Sequence, residues 1–170
     1  MTLIQPSAVP SLGTRRVVFI EGTVANIKAI TPAEMNGGVE VSCYLTRQGL
    51  AVTQDQTKIQ DGRYCSPQTL QLEGTESIDV TLQYTYNLNT PADDVARLTL
   101  ERGVSGILVE LLQIDEDQEE FATGDFYWAV AIRTGKQFPV AVEENAVDRI
   151  SQPVFIRGRA TDIVQIAAAA

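Results

Sequence analysis

The chain has 170 residues, of which 44% are hydrophobic, enough for one compact domain whose core needs no disulfide bonds. Lysine and arginine number 13 against 22 aspartates and glutamates, and the net charge of -9 disfavours a surface that binds nucleic acid through its phosphates. Histidine is absent, which removes the commonest general base and every imidazole metal ligand, so enzymes are the least favoured class.

The N-terminal region predicts an extended arm and then a first strand. Residues 1–14 are rich in proline, serine and glycine, which favours an arm over an element packed into a core. No basic segment followed by an apolar stretch opens the chain, and no apolar run approaches the roughly 20 residues that span a bilayer, so we expect a soluble protein made in the cytoplasm. Residues 16–20 are rich in β-branched and aromatic side chains and predict the first strand.

The next segment predicts a short helical turn followed by a strand. Thr31 can cap a helix that begins at Pro32 and has Glu34 at its third position, but a glycine pair at 37 and 38 ends it after about one turn. Apolar residues then alternate with polar ones from residue 39 to 43, which predicts a half-buried strand that continues to Leu45.

A polar segment follows, and both cysteines lie near it. Residues 54–67 are turn-rich, and Asp61-Gly62 is a hairpin-type signal, so we expect a loop with short strand pieces. Cys43 and Cys65 form no CxxC arrangement, and two thiolates without histidine make a poor zinc site. We expect two reduced thiols in the core, with a disulfide bond between them as the alternative.

The middle of the chain predicts a strand and a helix. From residue 78 to 86, apolar residues alternate with polar ones, which predicts a strand with one face in the core and one in solvent. Thr90 is placed to cap a helix that begins with Pro91 and has two acids in its first turn. Gly103 favours the left-handed conformation that ends helices, so we expect the helix from about Pro91 to Arg102.

The remaining residues predict a hairpin and two further strands. Two apolar segments, residues 107–114 and 126–132, flank an acidic connection and predict a long hairpin. Residues 138–142 and 154–159 predict two more strands.

The whole pattern predicts a mainly β fold: an antiparallel β-sandwich or barrel with one packed α-helix. We expect an N-terminal arm at 1–14, a single domain at 15–162 and a C-terminal tail at 163–170.

No residue pattern marks a catalytic, cofactor or metal site. The acidic run at 115–120 offers carboxylate oxygens, but Glu120 stands where a calcium-binding loop requires glycine at its sixth position. We therefore interpret the run as a solvated loop tip. Four basic residues are candidates for salt bridges between subunits: Arg15, Arg16, Arg157 and Arg159.

Several segments follow one another in a characteristic order: Val17-Val18-Phe19-Ile20, Ala29-Ile30-Thr31-Pro32-Ala33-Glu34, Val41-Ser42-Cys43-Tyr44-Leu45-Thr46 before Gly49-Leu50, the strand ending near Tyr84, the Asp93-Asp94 helix, and Phe138-Pro139-Val140-Ala141-Val142-Glu143-Glu144-Asn145. This order resembles that of the major tail tube proteins of siphophages, especially those infecting actinobacteria. The resemblance covers nearly the whole chain.

The resemblance implies a structural virion protein that is not an enzyme and holds no cofactor. It implies a β-sandwich whose inner sheets join side by side around a six-fold ring, and rings that stack into a tube. The tube is filled by the tape-measure protein and is later crossed by DNA. The implied partners are further copies of the chain, the tape-measure protein and the tail terminator, with DNA passing without specific binding and with no membrane.

Acidic and neutral polar side chains are expected to line the lumen, because DNA phosphates slide past such a surface without sticking. Strand alternation offers Asp79 and Gln83 for this lining. Glu110 interrupts an apolar strand of the hairpin that contributes to the inner wall in the resembled family, so it is also a candidate. The alternatives are a monomeric β-sandwich binding module, or a related tube, neck or terminator subunit of a phage tail.

Overall fold

A computed structural model describes residues 7–115 and 117–168, which contain nine strands and two short α-helices. The strands are β1 (Arg15–Glu21), β2 (Val39–Glu40), β3 (Leu45–Asp61), β4 (Leu70–Thr85), β5 (Ser105–Leu112), β6 (Phe126–Thr134), β7 (Phe138–Pro139), β8 (Arg149–Ile156) and β9 (Val164–Gln165). The helices are α1 (Pro32–Asn36) and α2 (Val95–Thr99), and a 3₁₀ turn at Pro91–Asp93 precedes α2. The first six residues of the expected N-terminal arm lie outside the described residues.

The strands of the described residues form one antiparallel sheet, which confirms the mainly β fold class. The strand order is β2-β1-β5-β6-β8-β4-β3, with β7 paired to β8 and β9 paired to β6. This sheet rolls up into a barrel, because side chains from β1, β4, β5, β6 and β8 meet in a single apolar core. The polar and apolar faces expected between residues 78 and 86 are confirmed: Val80, Leu82 and Tyr84 are buried in this core.

The barrel core is closed at one end by α2. Ala96 and Leu100, on and just after that helix, are fully buried against the strands. The other buried members of the barrel core are Val17, Phe19, Val41, Val80, Leu82, Tyr84, Leu108, Val130, Ile132, Ile150 and Val154.

A second core lies on the outside of β1, β5 and β6. These strands are therefore buried on both faces, which explains why their sequences are almost continuously apolar. The second core is covered by α1 and by the connections around it, which contribute Ile30, Met35 and Phe121. The hydroxyl of Tyr127 fixes this cover: it accepts a hydrogen bond from the backbone N of Ile30 at 3.0 Å and donates to the carbonyl O of Ile27 at 3.0 Å.

The capped turn predicted at Thr31 is present as α1. The Thr31 hydroxyl accepts from the backbone N of Glu34 at 3.4 Å, and the Glu34 carboxylate accepts from the backbone N of Thr31 at 2.9 Å. This reciprocal pair is a capping box. The pKa of Glu34 is lowered, mainly because its carboxylate accepts the hydrogen bond from the Thr31 backbone.

The helix predicted from Pro91 to Arg102 is wrong in length and in its cap. The Thr90 side chain makes no capping hydrogen bond. Asp94 divides the segment, because its backbone leaves the helical region, with φ -81° and ψ 50°, and separates the 3₁₀ turn from α2. Its buried carboxylate instead accepts hydrogen bonds from the backbone N of Asn87 at 2.6 Å and from Arg97 Nε at 2.9 Å. Gly103 has the expected positive φ, 89°.

The loop predicted at residues 54–67 is wrong for most of its length. Residues up to Asp61 belong to β3, which pairs with β4 through to Leu70. The predicted hairpin signal Asp61-Gly62 does mark the point where β3 ends. The error arose because both faces of this ribbon are exposed, so no buried side chains impose an alternating pattern on it.

The bounds of β2, β7 and β8 differ from those predicted. β2 ends at Glu40 because the chain turns there, with the backbone N of Tyr44 bonded to the carbonyl O of Val41 at 3.0 Å. β7 covers only the first part of residues 138–142, since Val142 is almost fully exposed in a loop. β8 begins before residue 154 and ends at Ile156.

The predicted location of the cysteines in the core is wrong. Cys43 and Cys65 are both exposed and both are free thiols. Cys43 lies in the turn before β3, and Cys65 lies in the connection between β3 and β4. At the C-terminal end, β9 pairs with β6 within the region expected as a tail, and Ile166 is buried in the second core.

Candidate assembly surfaces

A two-stranded arm projects from the barrel. The last pair that joins β4 to β8 is Val80 with Val154. Beyond it, the hairpin pairs with no other strand of the described residues, and only its base lies beside residues 158–160. We define the arm as residues 55–77. Its residues are exposed on both sides, except that Asp61 and Gly74 are half-buried. The strand part of the arm extends about 20 Å, from roughly 3.3 Å for each residue.

The arm carries an apolar patch near its tip. Ile59 and Leu72 are directly opposite each other in the ladder, and side chains at directly opposite positions share a face. Leu70 lies two residues from Leu72 and therefore shares that face. The three side chains are 54%, 55% and 54% exposed for Ile59, Leu72 and Leu70. We call these three residues the tip patch. Exposed apolar side chains grouped in this way are typical of a contact surface.

A second surface is the side of β3, β4 and β8 that faces away from the barrel core. Among the described residues, no second layer packs over this side, in contrast to the outer sides of β1, β5 and β6. Gln83 is nevertheless half-buried, and its Oε1 accepts a hydrogen bond from the Thr46 hydroxyl at 3.1 Å. We call it the open face; its members are Ala51, Thr53, Asp79, Thr81, Gln83, Ser151, Pro153 and Phe155. Asp79 is the one carboxylate among them, and Arg149 continues the same alternation at the first residue of β8. The predicted candidates Asp79 and Gln83 thus lie together on this surface.

Two arginines border the open face. Arg149 is paired with Glu143 at 2.5 Å, and Arg133 donates through Nε to the carbonyl O of Gly103 at 3.1 Å. Both guanidinium groups are therefore engaged at the margins of the sheet, and the centre of the open face is neutral or acidic.

Glu110, the third lumen candidate, lies elsewhere. It sits in a cleft of about 1140 Å³ that opens where β1 and β3 separate. Its carboxylate accepts a hydrogen bond from Arg15 Nη1 at 2.8 Å, and its side chain is only 17% exposed. Glu110 lies on the same side of β5 as the buried Leu108, the side that faces the barrel core, because residues two positions apart in a strand point to the same side. Glu110 is thus neutralised within the subunit.

The same cleft offers a hydroxyl and a thiol, but their neighbours indicate a structural role. Ser42 Oγ accepts from the backbone N of Val17 at 2.7 Å and donates to Glu40 Oε1 at 2.9 Å. These bonds tie the turn after β2 to β1. Cys43 is exposed beside it, and the chain contains no histidine that could activate either group.

The four arginines expected between subunits fall into two groups. Arg15 pairs with Glu110, and Arg16 donates to the carbonyl O of Asp115 at 3.4 Å and lies 5.8 Å from the ring centroid of Phe121. Both therefore have partners within the subunit. Arg157 and Arg159 are exposed, and neither forms an ion pair with another described residue.

A buried polar cluster fastens α2 to the barrel. The Tyr84 hydroxyl donates to Gln152 Oε1 at 2.8 Å and accepts from Gln137 Nε2 at 2.9 Å. Gln152 Nε2 in turn donates to the carbonyl O of Leu100 at 2.7 Å and of Gly135 at 3.0 Å. Burial raises the pKa of Tyr84 to about 12. These side chains satisfy one another, so the cluster holds the fold together.

Among residues 7–115 and 117–168, no group of three or more cysteine, aspartate or glutamate side chains is arranged to hold a metal ion. No helix in the same part of the chain is long and apolar enough to cross a bilayer.

The arm and the extent of the open face were missed by sequence reasoning. A signal for the arm was present, because Leu70 and Leu72 alternate with Gln71 and Glu73. The contribution of β8 to the open face carried a weaker signal, since Pro153 interrupts the alternation expected of a strand.

A barrel with a protruding hairpin arm and an uncovered polar sheet face has the features of a structural subunit. The chain belongs to the phage tail tube protein family, whose sequence model matches residues 1–169. Members of this family are virion components and not enzymes, and they polymerise with themselves in tubes.

Solved structures that are similar to this chain at low sequence identity include two examples. One is the cryo-EM structure of the anti-feeding prophage baseplate, 6-fold symmetrised, with 14% identity and a TM-score of 0.49 over 96% of this chain and 98% of that chain. The other is the crystal structure of Hcp protein, with 9% identity and a TM-score of 0.35 over 84% of this chain and 88% of that chain. A comparison with curated protein sequences finds no match. The family assignment therefore rests on the sequence match.

Proposed function

We propose that this protein polymerises as stacked six-fold rings into the tail tube of a long-tailed siphophage of actinobacteria, and that DNA crosses this tube during ejection. The observation that carries the proposal is the arm. A two-stranded ribbon without other support is marginally stable in water, so its ordered form calls for a partner surface. In a tube the partner is a second copy of the chain.

The tip patch is the contact by which the arm docks on that second copy. Burying Ile59, Leu70 and Leu72 there removes three large, half-exposed apolar side chains from water. Full burial of such side chains contributes about 1.5–3 kcal/mol each, and half of that remains for side chains already half covered. The gain repeats at every subunit, which favours long polymers.

The open face lines the lumen in this proposal. It is the sheet surface without a second layer over it, and its side chains are three hydroxyls, one amide, the carboxylate of Asp79 and the uncharged Ala51, Pro153 and Phe155. Such a surface repels DNA phosphates or does not bind them, because binding to DNA requires positively charged side chains that neutralise the phosphates. Before ejection the same lumen holds the tape-measure protein, and the tail terminator ends the tube. Glu110 is left out of the lining, since its charge is already paired with Arg15.

The proposal is tested by electron microscopy of the purified protein as its concentration is raised. The expected result is tubes with a central channel, and a protein that stays monomeric at every concentration would contradict it. Leu72→Asp is expected to abolish the tubes. Gln71→Asp is the matched control, because it adds the same charge at the neighbouring position on the opposite side of the ribbon.

A neck or terminator subunit of a phage tail is the alternative to the tube subunit that the family match supports. The same images discriminate between them. Tubes of variable length support the tube subunit, and single rings that do not elongate would indicate a neck or terminator subunit.

A further inference from the structure

The pairing register between the two strands of the arm shifts at one point. Gln56 is opposite Glu76, but the next pair along is Lys58 with Glu73. The chain advances two residues on β3 and three on β4, so β4 carries one extra residue. This is a β-bulge, in which Gly74 and Thr75 together oppose Thr57.

The bulge is built by specific contacts. Thr57 Oγ1 accepts a hydrogen bond from the backbone N of Thr75 at 2.8 Å and donates to its carbonyl O at 3.2 Å. The hydroxyl thus replaces the missing ladder partners. A Cβ atom on Gly74 would lie 2.4 Å from this Oγ1 and 2.7 Å from the carbonyl O of Thr57, so a glycine is required at this position.

The extra residue decides which side chains share a face. Continued without the bulge from the pair Gln56 and Glu76, a regular ladder would put Ile59 opposite Glu73 and Gln60 opposite Leu72. Ile59 would then lie on one face, and Leu70 and Leu72 on the other. With the bulge, Ile59 is opposite Leu72, and Lys58 is opposite the oppositely charged Glu73.

We propose that the bulge at Thr57 and Gly74 is a positioning device that gathers the three apolar side chains of the tip patch on one face of the arm for contact with a second copy of the chain. This inference rests on the proposed function, because it presumes that the arm docks during polymerisation. It adds a structural cause for the tip patch: its three side chains share a face only because the bulge shifts β4 by one residue relative to β3. The residues of the bulge act through Ile59, Leu70 and Leu72 and make no contact with the partner themselves.

The test is Gly74→Val, with Gly62→Val as control. A Cβ atom at residue 74 would overlap Thr57 and forbid the bulge, which leaves the regular ladder continued from Gln56 and Glu76. A Cβ atom at residue 62, beyond the last pair, meets no atom within 4 Å and leaves the ladder unshifted. Two measurements are made on each purified full-length variant: cross-strand proton NOEs in the arm at low concentration, and the critical concentration for tube formation. Thermal unfolding checks that the barrel remains intact.

We expect Gly74→Val to exchange the Ile59–Leu72 NOEs for Gln60–Leu72 NOEs and to raise the critical concentration at least about tenfold, a change of about 1.4 kcal/mol for each added subunit. Gly62→Val is expected to keep both properties. Tubes that form at the wild-type concentration after the NOEs have exchanged would overturn the inference. Retention of the Ile59–Leu72 NOEs in Gly74→Val would overturn it as well. Failure of the wild-type chain to form tubes would instead contradict the proposed function.

Discussion

Thr31 and Thr90 each precede a proline that opens a helical turn, but their hydroxyls have different surroundings. Thr31 exchanges hydrogen bonds with Glu34 in a capping box, whereas Thr90 caps nothing. We predict that Thr31→Ala lowers the free energy of unfolding by about 1 kcal/mol. Thr90→Ala is expected to change it by less than about 0.5 kcal/mol. Chemical denaturation of both variants measures the difference, and equal effects would contradict the assignment of the cap.

The phenol of Tyr84 gives the fold a dependence on alkaline pH. Its pKa is about 12 in the folded chain against 10.0 for an ordinary tyrosine. The folded state therefore holds the proton more tightly, so this contribution to stability is complete below about pH 10 and is lost as the pH rises towards 12. Burial also raises the pKa of Tyr127, so the wild type alone does not isolate Tyr84.

We predict that Tyr84→Phe lowers the free energy of unfolding at neutral pH by about 1–3 kcal/mol, because Gln152 Oε1 is left without its donor. Between pH 10 and 12 the gap between the variant and the wild type should narrow. Urea denaturation at several pH values measures both effects. A gap that stays constant across this range would show that the Tyr84 proton is not linked to folding.

At the scale of the element, the arm is separable from the barrel. Gln54 and Ile78 are directly opposite at its base, so a two-residue Asn-Gly turn can join them in place of residues 55–77. We predict a folded monomer whose melting temperature changes by less than about 4 °C, since the removed residues add nothing to either core. The same protein should form no tubes. Calorimetry and electron microscopy test the two halves of this prediction, and a barrel that fails to fold would contradict the first.

The elements that were predicted correctly are those in which burial of one or both faces produces a recognisable pattern of apolar residues in the sequence. The alternation at residues 78–86 is visible because that strand has one buried face. β5 is apolar from Ile107 to Leu112, except for Glu110, because both of its faces are buried. The first strand of the arm carries no such pattern because neither of its faces is buried, and its sequence therefore predicts a loop. The helix at Pro91 was predicted too long because Asp94 forms tertiary contacts with Asn87 and Arg97 that no local pattern reveals.

The surfaces were harder to predict than the strands. Asp79 and Gln83 could be assigned to a polar face from alternation, and both lie on the open face. Glu110 has the same local signal, a charged residue in an apolar strand, but its partner Arg15 is distant in sequence. Distinguishing an exposed carboxylate from a paired one requires the register between β1 and β5.

At the scale of the whole molecule, the net charge of -9 and the neutral centre of the open face fit a conduit for DNA. We predict that Thr81→Lys, which adds a cation to that face, leaves tubes intact and slows DNA ejection from assembled phage. Thr123→Lys is the matched control, because this exposed threonine lies in the connection that covers the second core. Ejection followed by dye binding to released DNA compares the two, and equal rates would count against a lumenal Thr81.

A cryo-EM reconstruction of tubes grown from the purified chain tests the central claim most directly, because it shows which surface of each subunit faces the channel. The account predicts six subunits in each ring, the β3, β4 and β8 side chains Thr53, Asp79, Thr81 and Ser151 around the channel, and each arm docked through Ile59, Leu70 and Leu72 on a neighbouring copy. A reconstruction with these strands on the outside of the tube, or with the arm free in solvent, would contradict it.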